Sequence, residues 1–291
     1  MGDERNFRSA YYEKVGFRSV EEKKSLEILL KEKPLDCEKL KQFCLRYCVP
    51  TCYRNLVWKL LLGIIPVHMD SHNFVIEQRK QEYQELYRAL TVMRIIDSNT
   101  PKPQVISAMC SLRSGNFAID SNIVTTRPFD CIVYAFMEYS DDDADIFWMF
   151  KNFWESVQKF HPELDKLVEK TFFILEKEDP AYYRIIKKND LFKNLPVDMW
   201  IDCCFAGVLK DMFVEKIWDK FLGGSYLIFV FASVMLLMTL RGRITNCTCL
   251  AATHEFVKCL PDETAGIITN KAIELWQNYG SPLTLHDKLK P

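Results

Sequence analysis

The sequence predicts an all-α fold, on three observations. Apolar residues recur at helical spacing through most of the chain. No stretch alternates convincingly as a strand would. Gly and Pro are few, 10 and 12 among 291 residues, and the prolines mark boundaries between the periodic stretches. An apolar content of 48% with 13% aromatics supplies a sizeable core and argues against disorder. The length exceeds that of a usual single domain, so one large helical unit and two fused lobes both fit.

Taken in order, Ser19 followed by Glu22 reads as a capping box ahead of Leu26, Leu29 and Leu30. Pro34 and Pro50 bound the next stretch. Residues 53–62 form an apolar helix carrying Arg54, Trp58 and Lys59, stopped by Gly63 and Pro66. A long helix is predicted over 72–97, with Tyr83, Leu86, Tyr87, Leu90 and Met93 in one stripe. Beyond Ala89 the positions Val92, Ile95 and Ile96 leave only Thr91 and Arg94 polar. That end needs cover on most sides, from its own core or from a partner chain. Leu86, Leu90, Val92, Met93 and Ile96 are therefore the candidate partner-binding residues.

Residues 98–130 hold Pro101, Pro103, Gly115 and Pro128 and form the one irregular region, too long for an ordinary connection and so functional or mobile. Ile119 to Thr126 is locally β-branched. Helices resume near Cys131, with boundaries at Pro162, Pro180 and Pro196, and the last are predicted over 205–221, 226–240 and 271–279. The run 226–240 is the most apolar; at 15 residues it falls short of the ~20 that span a bilayer. It reads as a buried central helix.

With 38 basic and 39 acidic residues the net charge is −1, which argues against a nucleic-acid binder or a polybasic membrane surface. There are 11 cysteines, no CxxC pair and a polar start, Met1-Gly2-Asp3-Glu4-Arg5. Free thiols in a reducing, cytoplasmic setting are expected. Cys44, Cys48 and Cys52 sit four apart, but Pro50 interrupts and no His is near in sequence, so buried apolar thiols are the reading. His68 and His72 lack an HExxH pattern and read as surface or cap histidines. Asp141-Asp142-Asp143 with Asp145 reads as a solvated helix start facing the positive end of the dipole. No phosphate-cradling loop, nucleophile elbow or metal triad is visible, and neither metal nor cofactor is expected.

Several segments, in order, resemble the Rab-GTPase-activating TBC domain. Arg54-Asn55-Leu56-Val57-Trp58-Lys59-Leu60-Leu61-Leu62-Gly63 resembles its opening R-x-x-x-W-x-x-L-L-G helix. Asp145-Ile146-Phe147-Trp148-Met149-Phe150 resembles its D-A-F-W-C-F helix, and Asp179-Pro180-Ala181-Tyr182-Tyr183 its D-P-x-L-Y turn. Trp200, then Ile217-Trp218-Asp219-Lys220-Phe221-Leu222, resemble its late segments. The resemblance implies a TBC-like core over 50–240, an N-terminal helical extension over 1–49 and closing helices over 241–291. The residue chemistry agrees: Trp58, Trp148, Trp200 and Trp218 are large apolar groups suited to packing between helices. Arg54 is read as a structural cation with a carboxylate partner such as Asp219.

An active member of that family lends a bound Rab GTPase an arginine and a glutamine. An arginine so supplied accelerates hydrolysis by roughly 10³ to 10⁵, or about 4 to 7 kcal/mol of barrier. The arginine belongs in I-x-x-D-x-x-R-T-x-P. The best match ends at Pro101 and puts Ser98 at the arginine position and Ile95 at the aspartate. The glutamine falls at about Thr125 to Arg127, in Val124-Thr125-Thr126-Arg127-Pro128, and no Gln occurs between Gln104 and Gln158. Arg94, one helical turn before Ser98 if the helix continues, and Arg127 are the two arginines near these places.

The run Arg5-Asn6-Phe7-Arg8-Ser9-Ala10-Tyr11-Tyr12-Glu13-Lys14-Val15-Gly16-Phe17-Arg18 is similar to the start of one branch of the family. That branch is the small third subunit of the tuberous sclerosis complex, beside hamartin and tuberin. The likeness implies a non-catalytic subunit that binds the hamartin coiled coil and, through it, supports tuberin. Tuberin's GAP domain acts on Rheb and restrains mTOR complex signalling. It also implies recruitment to lysosomal or vesicle membranes through those partners. The alternative implied by the wider family is a working activator of a Rab GTPase.

Overall fold

The computed structural model describes residues 20–115, 123–244, 257 and 260–289. Ser19 and the run from Arg5 to Arg18 lie outside them, as does the first half, 119–122, of the β-branched stretch. The fold is all-α, and the only bridge among the described residues is an isolated one between Ala206 and Leu209. The chain divides into two compact units, residues 1–155 and 156–291.

The first unit opens with α1 (Val20–Leu29), α2 (Cys37–Arg46) and α3 (Thr51–Leu61), each packed on the next. Asp36 caps α2 by accepting the amides of Glu38 and Lys39 at 3.0 and 3.1 Å. Pro50 precedes α3, where its fixed φ costs nothing. Trp58 of α3 is fully buried, stacked on Tyr139 at 4.9 Å. As predicted, α3 stops at Gly63, whose φ of 67° suits a residue without Cβ. A short 3₁₀ turn (Met69–Ser71) leads into α4 (His72–Val92), then α5 (Lys102–Arg113), α6 (Arg127–Tyr139) and α7 (Asp143–Phe160), within which the first unit gives way to the second. Helix α4 packs on α5, and α5 on α6.

The second unit is built around one helix. After a 3₁₀ turn (His161–Glu163) come α8 (Leu164–Glu178), α9 (Pro180–Lys188), a 3₁₀ turn (Leu191–Asn194), α10 (Val197–Asp202), α11 (Asp211–Leu222), α12 (Ile228–Thr239), α13 (Arg241–Ile244) and α14 (Asp262–Asn278). Every residue of α12 from Ile228 to Leu237 is buried, against α14, α8, α10 and α11. Its polar Ser233 returns its hydroxyl to the Phe229 carbonyl at 2.9 Å. The sequence reading of 226–240 as a buried central helix therefore holds. No helix among the described residues is long and apolar enough to cross a membrane.

Besides the end of α4, four boundaries differ from the sequence reading. The stretch read as irregular contains α5, whose prolines sit at the N-cap (Pro101) and in the first turn (Pro103), where the missing N–H is harmless. Helix α6 starts at Arg127, four residues before the predicted Cys131. Helix α11 starts at Asp211 rather than 205, because Cys204, Phe205 and Gly207 all take positive φ (50°, 65° and 67°). Helix α14 starts nine residues earlier than predicted, from an N-cap at Pro261.

Candidate functional site

The segment after α4 carries the position read as the missing arginine. Helix α4 ends at Val92, not Asp97. Met93 donates to the Ala89 carbonyl at 2.9 Å, Arg94 to Thr91 at 3.0 Å and Ile95 to Leu90 at 3.0 Å. That pattern closes the last turn, and it places Arg94 in the left-handed region at φ 58°. Arg94 is therefore exposed beyond the helix, and ideal helix geometry does not relate it to Ser98. The turn carries the chain inward, so Ile96 is core (3% exposed).

This divides the candidate partner face. Leu90 (0% exposed) and Ile96 are core residues of this chain, and their assignment to a partner surface is corrected. Leu86 is half-buried. Val92 at 74% and Met93 at 37% remain exposed.

Ser98 then stands exposed within a closed loop. The Asp97 carboxylate accepts the Asn99 amide at 2.8 Å and the Thr100 hydroxyl at 3.0 Å, while the Asp97 amide donates to Thr100 Oγ1 at 2.9 Å. The Asn99 amide and then the Thr100 hydroxyl hold the Asp97 carboxyl below the usual carboxylate range. No guanidinium occupies position 98. In the second expected place, Val124 is exposed, Thr125 half-buried, and Thr126 and Arg127 exposed. Arg127 and Pro128 open α6, and Phe129 anchors it against Phe150 and Trp154 at ring separations of 4.5 and 5.4 Å.

Helix α7 organises the acidic run. Asp142 accepts the amides of Ala144 and Asp145 at 2.9 and 3.3 Å, capping the helix. The run is not simply solvated, as the sequence suggested. Lys59 of α3 binds Asp145 at 2.5 Å, Lys80 of α4 binds Asp142 at 3.0 Å, and Lys102 of α5 binds Asp143 at 2.6 Å. Three helices thus each send one lysine to one helix start. Burial acts to raise the Asp142 pKa, but the Lys80 ammonium and the two amides outweigh it and the carboxyl lies below its ordinary value. A depressed folded-state pKa contributes stability above the unfolded value, lost as pH falls through the folded one. Asp142→Asn is accordingly expected to lower stability at neutral pH and to flatten its decline between roughly pH 5 and pH 2. Urea melts of both proteins across that range check this.

One turn further along α7, Trp148 donates its indole N–H to the Arg79 carbonyl at 2.9 Å. The guanidinium groups of Arg79 and Arg113 stand over its ring at 4.3 and 4.9 Å. Glu82 accepts from both arginines, at 3.3 and 2.7 Å. Sequence reasoning missed these lysines and arginines because each partner lies 31 to 86 residues away, apart from the local Arg79–Glu82 pair.

The other motif residues lie in buried or capping positions. Arg54 is buried, donates to the Val49 carbonyl at 2.6 Å and stands 5.7 Å from the Trp58 ring. Asp179 caps α9 by accepting the Tyr182 amide at 2.9 Å, Pro180 opens that helix, and Arg241 binds the same carboxylate at 2.8 Å. Trp200, Trp218 and Asp219 are buried, and the Trp218 indole donates to the Cys204 carbonyl at 2.9 Å. Cys44 is buried, Cys48 half-buried and Cys52 exposed, so they do not share one face. His72 is half-buried and meets the carbonyl of Pro66 in the preceding loop at 2.8 Å, which is a loop tether and not a helix cap, while His68 is exposed. Among the described residues no group of His, Cys, Asp and Glu is placed to hold a metal.

Comparison with known proteins follows the same lines. The family model for the Rab-GTPase-TBC domain matches residues 128–244. The chain is 40% identical to TBC1 domain family member 7 of Xenopus tropicalis, over 95% of this chain and 96% of that protein. It is 37% identical to the Homo sapiens protein of that name, over 96% and 97%. The crystal structure of the Ypt/Rab-GAP domain of Gyp1p superposes with a TM-score of 0.62 over 89% of this chain and 98% of that one, at 16% identity, which supports the fold alone. The chain belongs to the TBC-domain family, as a homologue of TBC1 domain family member 7.

Proposed function

We propose that this chain is a non-catalytic TBC subunit that binds the hamartin coiled coil. Through hamartin it supports the tuberous sclerosis complex, Rheb GTPase activation by tuberin and restraint of mTOR signalling at lysosomes. The observation that carries the reading is the loop after α4. Where an arginine would reach a GTPase, Ser98 stands in a turn tied by Asp97 and Thr100. The segment 123–128 supplies no glutamine in the second place. Likeness to TBC1 domain family member 7 across nearly the whole chain supports the same reading.

A fold that keeps its buried tryptophans but lacks the charged side chain remains a rigid helical scaffold. A partner helix recognises such a scaffold through exposed apolar side chains. Val92 and Met93 at the end of α4, with the half-buried Leu86, are the remaining candidates, since Leu90 and Ile96 are core. The double substitution Val92→Glu with Met93→Glu is expected to cut capture of a recombinant hamartin coiled coil at least tenfold. The urea midpoint should stay put, as exposed substitutions change stability by about 0.5 kcal/mol or less.

Two measurements test the function. The full chain should co-purify with the hamartin coiled coil, and single-turnover GTP hydrolysis by a Rab panel should be unchanged on adding it. An acceleration of roughly 10³ or more, abolished by Arg127→Ala or Arg94→Ala, would establish the working activator instead.

A further inference from the structure

We propose that Thr100 is a phosphorylation site for a proline-directed protein kinase, and that phosphate there opens the loop joining α4 to α5. Two residues with a hydroxyl precede a proline in this chain, Thr100 before Pro101 and Ser281 before Pro282. Both hydroxyl residues are half-buried, and the structure separates them by their surroundings. Thr100 ends a turn whose Asp97, Ser98 and Asn99 are exposed, which leaves a kinase access from that side once the turn opens. At the other dipeptide the Pro282 carbonyl is fixed by two buried donors, Ser225 Oγ at 2.7 Å and Trp276 Nε1 at 2.9 Å.

Thr100 Oγ1 is also the keystone of its loop. It donates to the Asp97 carboxylate and accepts the Asp97 amide, two of the three bonds that join 97 to 100, the third being the Thr100 amide to the Asp97 carbonyl at 3.2 Å. In the reaction this oxygen attacks the γ-phosphorus of ATP. The new O–P bond forms, the bond from that phosphorus to the β,γ-bridging oxygen breaks, ADP leaves, and the hydroxyl proton passes to the kinase's base. The ester oxygen has no proton to give Asp97, and the dianion faces an ionised carboxylate. The phosphate has a better place close by. Helix α5 begins two residues on without a side-chain cap and without an acid in its first turn, and a helix start favours an anion. The site stands whether or not the chain binds hamartin.

The test uses the full-length protein with ATP and, in parallel, a cyclin-dependent and a mitogen-activated kinase. Phosphate is located by mass spectrometry, and loop opening is read as the rate of tryptic cleavage after the exposed Arg94. Expected are incorporation at Thr100 in preference to Ser281, none there in Thr100→Ala, and cleavage after Arg94 about tenfold faster once phosphorylated. Asp97→Ala, shown to be folded by circular dichroism, frees the hydroxyl and should be phosphorylated several-fold faster. Any of three results overturns the proposal. These are no incorporation at Thr100 by either kinase, incorporation only in Asp97→Ala, or phosphate on Thr100 with the cleavage rate unchanged.

Discussion

Trp218→Ala should destabilise the second unit by about 3–5 kcal/mol, the range for emptying a buried aromatic site. The indole is buried in the second unit, and its N–H is the donor to the Cys204 carbonyl. Truncation removes both the packing and the donor. The carbonyl belongs to a residue at φ 50°, followed by Phe205 at 65°, and both are non-glycine, fully buried positions. Backbone held there persists only while its surroundings over-determine it. Trp218→Phe keeps most of the volume and loses only the hydrogen bond, so it should cost about 1–2 kcal/mol. Urea unfolding followed by circular dichroism separates the two variants. If alanine and phenylalanine cost the same, the indole bond rather than the packing governs this corner.

The second large effect is expected at Lys59. It is buried, and its ammonium meets the Asp145 carboxylate at 2.5 Å, with side chains only 10% and 20% exposed. Lys59→Met leaves Asp145 sparsely hydrated and without its partner, which should cost about 3 kcal/mol. Replacing both, as Lys59→Met with Asp145→Leu, should recover most of that, because no lone charge is left in a half-buried place. A thermodynamic cycle over the four proteins measures the coupling. Additive single losses would mean that the lysine acts through its aliphatic stem and not through its charge.

The sequence made the helical class, the stop at Gly63 and the enclosed helix 226–240 legible, because each leaves a local trace: a period, a glycine, an unbroken apolar run. The end of α4 left none. Its left-handed residue is Arg94, where glycine or asparagine would have signalled the stop, and Ile95 and Ile96 imitate a continuing helix, although Ile95 is only half-buried and Ile96 turns back into the core. Helix α5 was legible in principle. Pro101 and Pro103 were read as breakers, although a helix start accepts them. The lysine clamp on α7 was beyond reach of sequence alone, since its contacts join three other helices to one acidic run, and nothing local singles out Lys59, Lys80 or Lys102. The expected finger positions were identifiable through the family resemblance alone, for exposed loop residues carry no periodic signature.

The enclosure of α12 has a consequence during synthesis. Its most extensive neighbour, α14, lies downstream, its end roughly forty residues later. At bacterial-to-eukaryotic elongation rates of about 5–20 residues per second, that leaves a delay of about 2–8 s. Throughout it, one of the chain's most oily segments is already made while its lid is not. Its other neighbours, α8, α10 and α11, precede it in the chain, so only the face that meets α14 waits for synthesis to finish.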